Sequence, residues 1–338
     1  MEQKRDVITS FEKFLASLTL GSAEAFENFT IFPVYTGRPQ ENGYYLLDEA
    51  VKTGKFKVTE VDEGGSVPHL KVTNDLDFDV LLLDGDILVG AKQNRSCTTT
   101  IIIGRRTSTN ISVNCVERGR WAYKGKHFSS SDDPVYAKLR AVKARSVNCS
   151  LKEKQGFVAD QGAVWSDISA KSISFSRCSP DFQESRTEAA DDLYASNKNR
   201  LQDYEKAFAL RDGQVGFIAL IDGKIAGGDI FGNPRVLAKI YGKSLRSYIL
   251  DAIEQALEKK KPVAAEGDLK RKASMFLGSI RKLKPEAYEA QGKGSNIRFE
   301  GKTSVGFAAL NGDQVVHMAA FKQDAVTAKN QGDDTDVW

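Results

Sequence analysis

The chain alternates between stretches whose apolar residues recur every second position and stretches where they recur every three or four. Val7, Ile8, Phe11, Phe14 and Leu15 have helical spacing, so residues 6–17 are predicted to form a docking helix. Residues 29–35 read as a strand and residues 44–52 as a short helix stopped by Gly54. Residues 56–61, 69–73 and 80–83 read as further strands, the last two joined by a polar loop at 74–79. Asp84-Gly85 then lies between two apolar runs, the pattern of a hairpin turn, with 86–89 as its second strand.

Residues 98–103 are rich in Thr and Ile, 104–110 are turn-like, and Ile111, Val113 and Cys115 alternate with polar residues. This predicts a hairpin that brings two polar clusters to one end. A turn near Thr107 sets Arg95 opposite Gly119, Asn94 opposite Arg120 and Gln93 opposite Trp121. The first cluster is Lys92, Gln93, Asn94 and Arg95; the second is Glu117, Arg118, Gly119, Arg120 and Trp121.

After Tyr123 the period changes. Residues 129–134 read as a polar loop, with Pro134 suited to a first helical turn, and Val135, Leu139 and Val142 continue a helix toward Arg145. Further helices are expected around Val164 to Ile168 and within 184–210. Strands then return with an echo: Val215-Gly216-Phe217-Ile218-Ala219-Leu220 precedes Asp222-Gly223, and Val305-Gly306-Phe307-Ala308-Ala309-Leu310 precedes Asn311-Gly312. Both words predict hairpins, at 215–231 and 305–321, in one sheet. Between them an apolar stripe predicts a long helix over 235–259, followed by another over 267–283. The expected class is α+β: a docking helix in 1–20, a β-rich part in 21–125, helices and returning hairpins of the same compact unit in 126–321, and a loose polar tail in 322–338.

The ordered word Gly90-Ala91-Lys92-Gln93-Asn94-Arg95, a Thr/Ile strand, and Cys115-Val116-Glu117-Arg118-Gly119-Arg120-Trp121-Ala122-Tyr123 resembles the signature of an uncharacterised prokaryotic family. It is the ADP-ribosylglycohydrolase- and rhodanese/phosphatase-superfamily-associated protein domain. The resemblance runs from about residue 28 to 321. It implies a place near NAD and ADP-ribose metabolism, and it brings no established catalytic residues.

Composition narrows the classes. With 338 residues, 41% apolar and 28% charged, the chain is an ordinary globule. Its 48 basic and 45 acidic residues leave +3, too balanced for a general polyanion binder. The four cysteines and three histidines have no metal-ligand spacing, and no cofactor is specified. Without a signal-like or membrane-spanning run, a cytoplasmic location with no membrane partner is expected. Gly242-Lys243-Ser244 lacks the upstream glycine of a phosphate loop, and Gln291 to Asn296 reads as a flexible loop that could nest an anion. Cys115 reads as a small inward-facing core residue, His317 as a satisfied core histidine, and Asp191-Asp192 as solvent-exposed or capping.

The ligand expectation follows from the clusters. Lys92, Arg95, Arg118 and Arg120 suit a phosphate or carboxylate, Gln93 and Asn94 a base or sugar edge, and Trp121 a stacked ring. Glu117 is the candidate base. The first reading is binding or processing of a small anionic nucleotide-like metabolite linked to NAD or ADP-ribose turnover. The other is a non-catalytic module binding nucleic acid or a partner protein. The sequence specifies neither a reaction nor an oligomeric state.

Overall fold

The computed structural model describes residues 2–41, 43–61, 68–119, 125, 127–178, 188–258 and 266–323. The fold is α+β, with antiparallel pairing nearly throughout. Its frame is a large sheet in which eight strands follow one another. Their order is Leu18–Leu20, Phe29–Thr36, Gly216–Ile221, Lys224–Phe231, Gln314–Lys322, Ser304–Asn311, Ser295–Glu300 and Glu286–Glu289. Glu24–Phe26 pairs with Phe29–Thr36 beside them.

The two echoing words form matching hairpins at the centre of this sheet. Gly216 pairs with Ile230 and Gly306 with Ala320, an offset of 90 residues on both strands (306 minus 216, 320 minus 230). Even the register slips correspond, between Ala219 and Leu220 and between Ala309 and Leu310. The inner strands pair with each other around Asp229 opposite Ala319, each the other's counterpart at that same offset. The sheet therefore has an approximate two-fold axis through that pair. One detail differs from the sequence reading. The first turn is Asp222-Gly223, both at positive φ, but the second is Gly312-Asp313, with Asn311 still in the strand.

Each half is also preceded by a helix. Val7, Phe11, Phe14 and Leu15 of Glu2–Ser17 and Leu269, Ala273, Phe276 and Leu277 of Glu266–Ile280 bury one face of the sheet in a common core. The helices cross over: Phe11 stacks on Phe299 of the second half, while Lys272 donates to the Gly223 carbonyl in the first. Pro234–Glu258 and Ala137–Lys152 cover the opposite face, together with the long segment 37–214 that separates Phe29–Thr36 from Gly216–Ile221.

That segment has its own six-stranded sheet. Its order is Phe128–Pro134, Asp86–Gly90, Arg95–Cys97, Thr107–Cys115, His69–Asn74 and Phe56–Glu60. Here several sequence readings are corrected. Asp84-Gly85 does make a tight turn, closed by Asp86 N–H to Leu83 O at 3.0 Å, but no hairpin. Val80–Leu82 pairs with Ile101–Ile103 and, in parallel, with Tyr45–Leu46, whereas Asp86–Gly90 enters the other sheet. Residues 98–103 are not the partner of 111–115. Thr98, Thr99 and Thr100 leave the sheet, and Arg95 pairs with Cys115, four positions from the expected Gly119. The three buried isoleucines suit a strand covered on both faces. Residues 129–134 are strand rather than loop, because Phe128–Pro134 finds a partner in Asp86–Gly90; the following helix starts at Ala137. Residues 44–52 divide into the strand Tyr45–Leu46 and the helix Leu47–Lys52.

Candidate functional site

The Gly90-to-Asn94 loop connects two paired strands, Asp86–Gly90 and Arg95–Cys97. Its backbone is tightly bent. Gly90 has φ +136°, and a Cβ there would lie 2.8 Å from the His127 carbonyl oxygen. Ala91 follows at φ +40°, unusual for a residue with a side chain. Such strain persists only where the surroundings hold it, and here they do.

Asn94 does the holding. Its N–H donates to Glu117 Oε2 at 3.0 Å, and its carbonyl accepts from Val116 N at 3.1 Å. Its Oδ1 accepts from Gly90 N at 3.3 Å, and its Nδ2 donates to the Asp191 carboxylate at 3.2 and 3.4 Å. One residue thus ties together the loop and the helix Ala190–Ser196 through its side chain, and the strand Glu117–Arg118 through its backbone. The Ala190 N–H to Val116 O bond and the pairing of Glu117–Arg118 with Glu188–Ala189 fix that helix to the same place.

The expected clusters meet in part. Lys92, Gln93, Asn94, Arg95 and Glu117 are all buried, and Arg118 is exposed with its guanidinium 5.8 Å from the Trp165 ring. Arg120 and Trp121 lie outside the described residues. Arg95 faces inward: it donates to Gln93 Oε1 at 3.0 Å and to Cys115 Sγ at 2.7 Å, with Glu60 4.0 Å away. Gln93 and Arg95 therefore brace the strands. Glu117 is not the only carboxylate. Asp191 joins it, and is partly buried rather than free in solvent. Burial pushes the Asp191 carboxyl up, neighbouring Asp192 and Glu117 add to this, and its bonds to backbone and Asn94 oppose it.

A second polar centre lies where the inserted segment meets the large sheet. Arg140 donates to Asp84 at 3.0 Å and to both oxygens of Asp229 at 2.6 and 2.9 Å. His317 bridges Thr100 Oγ1 at 2.7 Å and Asp229 Oδ1 at 2.9 Å. Lys143 donates to Ser96 and to the Cys97 carbonyl, with Asp84 3.5 Å away. Gly85, at φ +89°, passes so close that a Cβ would stand 3.0 Å from Arg140 Cδ. Hydroxyl, imidazole and carboxylate stand in the order of a nucleophilic triad. Their neighbours argue for structure instead. The adjoining cavity, lined by Asp86, Lys243 and Ser244 among others, is about 20 Å³, room for about one water. Both Asp229 oxygens are already held by Arg140. The expected core role of His317 agrees with this.

Burial raises the Asp229 carboxyl, but the Arg140 charge and the His317 hydrogen bond outweigh it and hold the group well below the usual range. A depressed carboxylate stabilises the fold above its unfolded value and loses that contribution as pH falls toward the folded one. Wild type should lose stability between about pH 4 and pH 2, and Asp229→Asn should lose less over that interval. Urea titrations at the two pH values would show it; parallel losses would refute it.

Among the described residues no group of His, Cys, Asp and Glu is placed to hold a metal ion, and no helix is long and apolar enough to cross a membrane. The protein is thus an α+β fold with a two-fold sheet and an inserted segment bearing the Asn94-centred loop. Residues 17–321 match the ARG and Rhodanese-Phosphatase-superfamily-associated Protein domain, and the chain belongs to that family. No curated protein and no solved structure matches it.

Proposed function

We propose that the Asn94-centred site binds an anionic nucleotide-like metabolite linked to NAD or ADP-ribose turnover, and that Glu117 and Asp191 act on it as base and acid. The carrying observation is Asn94 joined to two carboxylates, by its backbone N–H to Glu117 and by its side-chain amide to Asp191, the latter pushed toward its protonated form. Carboxylates held in different environments are the usual equipment for general acid–base chemistry near neutral pH. Lys92 and Arg118 flank them and would receive the ligand's negative charge. Arg120 and Trp121 follow directly in sequence, and in this reading supply further charge and a stacking face. The family's name, with its association to ARG and a rhodanese-phosphatase superfamily, supports the reading.

Calorimetry with ADP-ribose, NAD and AMP tests the reading. Charged hydrogen bonds contribute about 1.5–3 kcal/mol, so Lys92→Ala and Arg118→Ala should each weaken binding at least tenfold, about 1.4 kcal/mol. Arg95→Ala should instead lower stability, because Arg95 braces the strands. No binding by wild type, or binding by Lys92→Ala and Arg118→Ala as tight as that of wild type, would refute the assignment. A steep fall of affinity with salt and indifference to the base would favour a nucleic-acid module. Turnover that survives Glu117→Gln would keep the pocket and remove the base.

A further inference from the structure

Arg298 is the most unusual charged group outside the sites above. It lies in Ser295–Glu300, on the sheet face that meets the inserted segment, and is 3% exposed. Its Nε, Nη1 and Nη2 are all buried and make no hydrogen bond. Its guanidinium carbon sits 5.4 Å from the Phe157 ring and 5.1 Å from the Phe307 ring. Removing a guanidinium from water costs several kcal/mol unless paired, and two aromatic rings recover only part of that. Burial lowers its pKa to about 9, still protonated at neutral pH, with Asp84 and Tyr288 opposing the shift.

Asp84, the carboxylate whose charge acts on Arg298, is already held by Arg140 at 3.0 Å with Lys143 3.5 Å away, and makes no hydrogen bond to Arg298. An open cleft of about 500 Å³ is lined by His69, Ser112, Phe157 and Gln291. Phe157 belongs to both places: it lines the cleft and its ring lies against Arg298. Gln291 Nε2, at the same cleft, is also buried without a hydrogen-bond acceptor.

We propose that Arg298 is the receptor for a small monocarboxylate, which enters from this cleft past Phe157 and gives the buried guanidinium the acceptor it lacks. A carboxylate matches the planar donor fork of arginine and can take two of its unmet N–H groups side by side. Phosphate is bulkier and more highly charged than the single guanidinium that would receive it. This site is separate from Asn94 and does not depend on the function proposed there.

The test uses the full chain and acetate at constant ionic strength. Wild type should rise in thermal midpoint by about 3–5 °C at a hundredfold excess of acetate over its Kd. Arg298→Met should show no acetate response, and without acetate should be at least as stable as wild type. After equilibration with acetate and rapid desalting, ion chromatography of the heat-denatured supernatant should recover acetate from wild type and none from the variant. If Arg298→Met does not fold, Phe157→Ala carries the test: it should exchange ¹³C-acetate at least tenfold faster than wild type by NMR. Equal acetate responses in wild type and Arg298→Met, no response in wild type, a response to inorganic phosphate but not acetate, or unchanged exchange in Phe157→Ala would each overturn the proposal. In the second case ordered water satisfies the guanidinium.

Discussion

Replacing Arg140 with methionine should cost about 3–5 kcal/mol of folding stability. The arginine makes four hydrogen bonds to Asp84, Asp229 and Ser247, and its guanidinium carbon lies 5.0 Å from the Phe321 ring. The loss is electrostatic. Asp84 and Asp229, 1% and 2% exposed at the side chain, would remain buried without their principal cation. Removing one member of a buried ion network costs far more than replacing the whole network, so Arg140→Met with Asp229→Asn should recover part of the loss. Urea unfolding of the single and double variants measures both. A loss below about 1 kcal/mol in Arg140→Met would mean that this layer is hydrated and does not hold the inserted segment to the sheet.

The second large effect is expected at Asn94. Asn94→Asp keeps size and shape, but it removes the Nδ2 donor to Asp191 and adds a third carboxylate beside Glu117 and Asp191. An unmet buried partner costs about 1–3 kcal/mol, more when charged. The sign with pH is definite. The new carboxyl would have a folded pKa above its unfolded one, so the variant should approach wild-type stability in acid and fall behind as pH rises through neutral. Ligand binding should fail with it, since the loop carrying Lys92 is released. Thermal unfolding of both proteins across pH decides the matter; a pH-independent difference would show that Asn94 does not hold the carboxylates together.

The hairpins at 215–231 and 305–321 were legible because alternation and a Gly-containing turn determine local pairing without help from the rest of the chain. The long helix between them was legible from its broad stripe. The register of 98–115 was not. Three successive threonines look like strand, but they leave the sheet so that Thr99 reaches Asn296 and Thr100 reaches His317, residues about 200 positions away. The turn at Asp84-Gly85 was read correctly as a turn and wrongly as a hairpin, because local chemistry does not say which sheet the second strand joins. Asp191 was missed for the same reason: its partner Asn94 is 97 residues distant. Arg140 and Lys143 did leave a trace. They occupy the buried stripe of Ala137–Lys152 with Leu139, Ala144 and Val147, where a surface helix would place apolar residues.

The two-fold sheet also constrains how the molecule is made. Phe29–Thr36 pairs with Gly216–Ile221, so 179 residues separate one strand's end from its partner's start (216 minus 36, less one). At ribosomal speeds of 5–20 residues per second, that apolar strand waits roughly 10–40 s for its partner. Its inner residues, Phe29, Ile31, Phe32 and Val34, are wholly buried at the end and exposed to other chains meanwhile. Folding thus has a long vulnerable interval written into the chain order, in which Leu18–Leu20, Gly21 and Glu24–Phe26 offer the strand early hydrogen-bond partners. Expression should accordingly respond to chaperone supply and slow synthesis more than the finished fold's stability would suggest.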